Sequence, residues 1–204
     1  MTPRFSPLPS ETDLPSSGTL PPRERILAAA SDLFYRQGIR AVGVDAIAEA
    51  AGTNKMTLYR HFESKDSLVA EYLRCLANKS QHFWAHIERE FPNNHRQQLG
   101  AWLEAAGRDA NDPQGRGCAL ANAAVELAEK EHPARRVIEE HKHAQRDRLA
   151  KLCTDAGLKQ PEMLADELFL LLEGARVCAQ SMPHDSPHCR FVRAGQAIIA
   201  SHEN

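Results

Sequence analysis

Residues 44–62 read "VDAIAEAAGTNKMTLYRHF". The first part carries Ile47, Ala50 and Ala51 at helical spacing and predicts a short amphipathic helix over about 44–51. Gly52 then suits a tight turn, because glycine adopts backbone conformations that are costly for other residues. The last ten residues hold Lys55, Tyr59, Arg60 and His61 but no acid, in a chain whose 25 Lys and Arg are nearly balanced by 27 Asp and Glu. Leu58 and Phe62, four apart, give a second helix over about 55–62 an inward side. Lys55, Met56, Thr57, Tyr59, Arg60 and His61 are left facing outward.

Two short helices joined by a turn containing Gly form the helix-turn-helix plan. The missing acids fit a face that approaches nucleic acid. A carboxylate would be repelled by phosphate, whereas Lys, Arg, Thr, Tyr and His all donate hydrogen bonds to phosphate oxygens. Lys55 and Met56, in the first turn, are placed to reach base edges. A basic helix face alone is commonplace and usually just solvated. The specificity lies in the composite of amphipathic helix, Gly turn and basic-aromatic helix.

Outward from this stretch the pattern stays helical. Apolar residues recur at spacings of three and four, and no strand-length run alternates. A first helix starts near Pro22 and stops at Gly38, with Ile26, Ala30, Leu33 and Phe34 as its apolar stripe. Ser64 can cap a long helix bearing Leu68, Tyr72, Leu76, Phe83 and Ile87 on its inner face. Further helices are expected over 95–110, over 118–128 and from Pro133 to Gly157, with the last two beginning after Pro161 and Pro187. The fold class expected is therefore all-α.

Six of the twelve prolines fall within residues 1–22, beside many Ser and Thr. Residues 1–21 are accordingly expected to form a disordered tail, residues 22–66 a DNA-binding head, and residues 67–204 a region for effector binding and dimerisation. No stretch has the apolar length of a membrane span, and the N-terminus lacks the apolar core of a signal peptide. The five cysteines have no CxxC spacing, which fits reduced thiols and a cytoplasmic protein. A helical enzyme using Cys118 or Cys153 with a His is a competing reading. Against it, the chain has no GxSxG, Walker A, HExxH or Gly-rich dinucleotide fingerprint, so no enzyme activity and no cofactor are expected. Cys178, His184, His188 and Cys189 match no zinc spacing, and no metal site is expected from them.

The stretch "RILAAASDLFYRQGIRAVGVDAIAEAAGTNKMTLYRHFESKDSLVAEYL" resembles the DNA-binding region of the tetracycline-repressor (TetR) family of transcriptional regulators. Leu33-Phe34, Gly38, Ile47-Ala48, Ala51-Gly52, Thr57-Leu58-Tyr59, His61-Phe62 and Lys65 carry the likeness, which covers about residues 23–74. It implies base contacts from Lys55, Met56 and Tyr59, and phosphate contacts from Thr57, Tyr59, His61 and Lys65, with Arg60 on the same face. It also implies a homodimer on a palindromic operator in double-stranded DNA, most simply a repressor released by a small-molecule effector of unknown identity. The alternative is a helical module that binds a small molecule without specific DNA binding. Two departures stand out. Gly43 replaces the Ser or Thr that opens helix two in many members, leaving only backbone amides for phosphate. Thr53-Asn54 replaces a common Val-Ser.

The later chain offers candidates for pairing and sensing. The helix "EMLADELFLLLEGARVCAQ" is apolar nearly all round and must be covered on all sides. Leu164, Leu168, Leu171, Gly174, Ala175 and Cys178, with Phe191, Val192, Ala194 and Ile198 of the last helix, are the expected dimer interface. Tyr72, Phe83, Trp84, Trp102, Cys118, Asn122, Glu126, His141, Phe169 and Glu173 combine apolar walls with a few polar groups and are the candidate effector pocket.

Overall fold

Pro22 opens the first helix as a residue that needs no N–H partner there, and Gly38 ends it at φ +90°. A side chain at that glycine would be strained twice over. Its φ is one that L residues rarely adopt, and a Cβ would stand 3.1 Å from the Glu126 carboxylate. The computed structural model describes residues 20–110, 115–182 and 187–203, apart from the side chains of Pro187 and His188. The expected tail, except for Leu20 and Pro21, lies outside those residues.

Every regular element among the described residues is an α-helix. In order they are α1 (Pro22–Gln37), α2 (Val44–Ala50), α3 (Lys55–His61), α4 (Lys65–Glu90), α5 (His95–Ala110), α6 (Ala119–Glu126), α7 (Pro133–Asp155), α8 (Pro161–Ser181) and α9 (Pro187–Ser201). Pro22 and Pro133 are first helical residues as expected, and Pro161 and Pro187, expected to stand before their helices, are themselves the first residues of α8 and α9. Ser64 caps α4 as its sequence position predicts. Its Oγ accepts from Ser67 N at 3.0 Å, while Ser67 Oγ accepts from Ser64 N at 3.0 Å.

The chain divides into two compact units, Met1–Ser80 with Ala119–Glu139 and Gln81–Cys118 with Glu140–Asn204. Residues 67–80 and 119–139, which the sequence places beyond the head, thus group with it. In the first unit α1, α2 and α3 pack on one another. Their shared core contains Ile26, Ala30, Phe34, Ile47, Ala48, Leu58 and Phe62, all buried. Glu126 Oε2 accepts from Arg40 N at 3.0 Å and so ties the end of α6 to the loop between α1 and α2. His132 Nε2 lies 3.4 Å from Asp66 Oδ1.

In the second unit α5, α8 and α9 pack together. Trp102 stacks against Trp84 with centroids 6.4 Å apart and meets the edge of Phe191 at 6.3 Å. Leu164, Leu168, Phe191 and Val192 are buried in the protomer's own core. The sides of α8 are therefore sorted differently from the expected interface. Leu170 is 70% exposed and Val177 65% exposed, and together with exposed Met163 they recur every seven residues. A helix that is apolar all round does not reveal in sequence which stripe its own protomer covers. No helix among the described residues is long and apolar enough to cross a membrane.

Candidate functional site

The geometry of the 44–62 stretch starts at the end of α2. Gly52 takes φ +60°, and its N–H bonds Glu49 O at 3.0 Å. Thr53 N–H bonds Ala48 O at 2.9 Å. These two reversed bonds are a Schellman closure, which satisfies carbonyls that the helix end would otherwise leave open. Asn54 then caps α3: its Oδ1 accepts from Thr57 N at 2.9 Å. A seven-residue helix is too short to hold itself in water. Its stability comes from that cap and from Leu58, fully buried, with Phe62 behind it. Arg23 lies over the Phe62 ring at 5.1 Å and pairs with Glu71 at 2.9 Å.

The other side of α3 is open. Met56 is 74% exposed and Tyr59 44% exposed, and Lys55, Arg60 and His61 are exposed beside them. Thr57 is half-buried and accepts a hydrogen bond from Arg60 Nη2 at 2.8 Å. Its hydroxyl hydrogen stays available to donate. Gly43 is exposed at the N-cap of α2, with an extended backbone and no side-chain cap. Lys65, half-buried, stands 6.0 Å from the centre of the Phe34 ring. Burial holds its ammonium below the usual range, against the pull of Asp66 and Glu126.

The effector candidates separate into groups. Tyr72 is buried in the first unit beside Phe34, centroids 5.8 Å apart. Asn122 and Glu126 belong to the same unit, where Glu126 is engaged with Arg40 N. The other candidates belong to the second unit. Four of them surround Lys142, a residue the sequence did not single out. Its Nζ donates to Glu173 Oε2 at 2.6 Å and to Cys118 Sγ at 3.4 Å, and stands 5.5 Å over the Phe169 ring. Arg176 donates to Glu173 Oε1 at 3.0 Å and to Asp109 Oδ2 at 2.8 Å. His141 is the fourth. Burial first, then the Lys142 and Arg176 charges, push its imidazole below the ordinary 6.5.

Phe83, Trp84 and Trp102 form an aromatic row, with neighbouring ring centroids 5.9 and 6.4 Å apart. Trp84 also lines an open groove of about 660 Å³ with Glu88, His95 and Arg148, whose guanidinium lies 5.4 Å over the indole. Burial pushes the Cys153 thiol up to about 12, which keeps it protonated and unsuited to attack as a nucleophile. Cys178 and Cys189 are exposed free thiols. His184 and the side chain of His188 lie outside the described residues.

Comparison with known proteins places this geometry. The sequence profile "Bacterial regulatory proteins, tetR family" matches residues 26–72. A protein of Streptomyces avermitilis assigned to the TetR transcriptional regulators is 30% identical, with a TM-score of 0.77 over 90% of this chain and 98% of its own. The chain belongs to the TetR family of transcriptional regulators. This TetR-family chain is also similar to a TetR-family regulator of Streptomyces coelicolor, 25% identical, with a TM-score of 0.82 over 90% of this chain and 96% of that one. Over 70 residues it is 42% identical to the transcriptional repressor KstR2 of Rhodococcus jostii, a match of 34% of this chain and 33% of that protein. Such matches span about a third of the curated relatives' length.

Two residues of this TetR-family head went unread in the sequence. Asn54 is one. A cap residue one position before a helix is a local sequence signal, and here Asn54 carries it alone, since the cap bond is made by its own Oδ1. Asp45 is the other. Its Oδ2 lies 3.3 Å from Lys55 Nζ, so an acid from α2 reaches the face that α3 keeps free of acids. Both side chains are exposed, and such a pair is worth at most about 1 kcal/mol.

Proposed function

We propose that the chain is a homodimeric, effector-responsive repressor that reads a two-fold symmetric DNA operator through α3. The observation that carries this is the state of α3. It is capped by Asn54 and seated by Leu58, and it offers a continuous face of donors and one exposed Met. In this reading Lys55, Met56 and Tyr59 touch base edges. Thr57, Tyr59, Arg60, His61 and Lys65, with the amides behind Gly43, grip phosphates. Lys55 exchanges Asp45 for DNA, an exchange with little cost because the pair is solvated.

One α3 contacts too few base pairs for useful specificity, so two copies read half-sites about one helical turn, ~34 Å, apart or a multiple of it. The pairing surface proposed is the outward side of α8, with Met163, Leu170, Gly174, Val177 and Cys178, joined by Ala194 and Ile198 of α9. Leu171 and Ala175, half-buried, border it. The effector is proposed to act near Lys142, where Cys118, His141, Phe169 and Glu173 converge. An inducer must favour the arrangement of the two heads that fits the operator poorly, since only differential affinity shifts an equilibrium. The protein would act in the cytoplasm.

The test is binding to the DNA upstream of the chain's own gene, titrated with salt. The repressor reading expects sequence-specific binding with a steep salt slope. If no fragment of a genomic library is bound specifically even at low salt, the proposal fails and a helical module without specific DNA binding takes its place.

A further inference from the structure

The turn between α2 and α3 has a third support besides its core residues and its Schellman closure. Arg25, half-buried in the first turn of α1 and one residue before the matched family segment, sends its guanidinium to that turn. Nε donates to Ala51 O at 3.0 Å, Nη2 to Gly52 O at 3.4 Å, and Nη1 to Leu20 O at 3.4 Å. The Schellman bonds occupy the carbonyls of Ala48 and Glu49. The Ala51 and Gly52 carbonyls lie beyond them, at the negative end of α2, where a cation and its donors are favoured.

We infer that Arg25 is a positioning residue for DNA reading: its guanidinium fixes the direction in which the chain leaves α2 and so sets the pose of α3. The inference rests on the proposed DNA-binding function but concerns the head itself. Gly52 permits the left-handed bend and also loosens it, because glycine leaves the most backbone freedom to lose. A fork held on the Ala51 and Gly52 carbonyls, which flank the Gly52 Cα, removes that freedom. Guanidinium suits the task because its planar donors point in fixed, diverging directions, whereas an ammonium offers its protons from one nitrogen. A wrongly posed α3 still meets phosphates but misses base edges, so the loss falls on specificity.

The competing role for a cation here is direct phosphate contact, and the two roles give different results. The probes are a duplex that the wild type selects from random sequence and an unrelated duplex of the same length. Arg25→Ala is expected to weaken the selected duplex at least about tenfold, with unrelated-duplex affinity and its salt slope unchanged. Arg25→Lys, which keeps the charge, is expected to lose most of the same specificity. Amide exchange in residues 50–58 of the DNA-free dimer is expected to quicken at least about tenfold in both variants, while α4 amides keep their wild-type rates.

Unchanged exchange in both variants overturns the positioning role. So does a salt slope shallower by about one with full rescue by lysine, which is the signature of a phosphate contact. If Arg25→Ala loses the helical signal of the whole head, Arg25→Lys alone decides between these outcomes. If the wild type selects no duplex, the DNA-binding proposal fails on its own account, and the exchange rates still accept or reject the Arg25 fork.

Discussion

Helices α3 and α8 each leave one side uncovered, and the two sides differ in kind. On α3 the open side is made of hydrogen-bond donors, with Met56 as the exposed apolar exception. On α8 it is a ridge of Met163, Leu170 and Val177 spaced by seven. Water solvates the first at little cost, so α3 can wait for a charged partner. The second keeps large aliphatic groups in water, at about 1.5–3 kcal/mol each relative to burial. In the proposed function the two sides take different partners: phosphate and base edges for one, a matching apolar surface for the other. A second copy of the same helix supplies such a surface by symmetry.

The largest effect that would break this comparison is on the α8 side. Leu170→Asp with Val177→Asp is expected to raise the dimer dissociation constant about a thousandfold, roughly 4 kcal/mol. Because both side chains are exposed in the protomer, its helical content should stay unchanged. Sedimentation velocity over a concentration series reads this, and an undisturbed dimer would move the pairing surface elsewhere.

On the α3 side, Lys55→Ala should cost about 1–3 kcal/mol of specific affinity and relax base preference at one position in each half-site. The dimer should be untouched, as calorimetric titration and sedimentation would show. Equal affinity and unchanged preference would remove Lys55 from the base contacts. Smaller and of opposite sign, Asp45→Asn frees Lys55 from its solvated partner and removes a negative charge near DNA. It should tighten binding by less than about 1 kcal/mol, most visibly at low salt. Weaker binding would mean that Asp45 positions Lys55 for its task.

The smallest expected effect concerns the Lys142 cluster. His141 sits below its ordinary 6.5 in the folded chain, so as pH falls the unfolded chain takes up that proton first. Its contribution is complete above 6.5 and is lost as pH falls toward the folded value. His141→Gln should flatten the decline of the denaturation midpoint between about pH 7 and about pH 5. Identical slopes in both proteins would show that other groups carry the acid dependence.

What the sequence made legible follows the same divide. Leu58 lies on α3 and Phe62 caps its end four residues later, so local periodicity alone turns both inward. Ser64 could be named as a cap because cap chemistry is local too. Glu126 could not be placed. Its partner Arg40 is 86 residues away, and nothing in the spacing of α6 points to a loop beyond α1. On α8, Leu164 and Leu170 look alike in sequence, and only tertiary packing decides that Leu164 goes inside. Lys142 escaped for a related reason. A lone lysine on a helix usually reads as solvated, and its meeting with Cys118, Phe169 and Glu173 depends on contacts between distant segments.

Selection of sites from random duplexes by the wild-type dimer tests both open sides at once. The prediction is an inverted repeat whose half-site centres lie one helical turn, ~34 Å, or a whole multiple of it apart, bound by one dimer. A single unrepeated motif would contradict pairing through α8, and no enriched sequence at any salt concentration would contradict reading by α3.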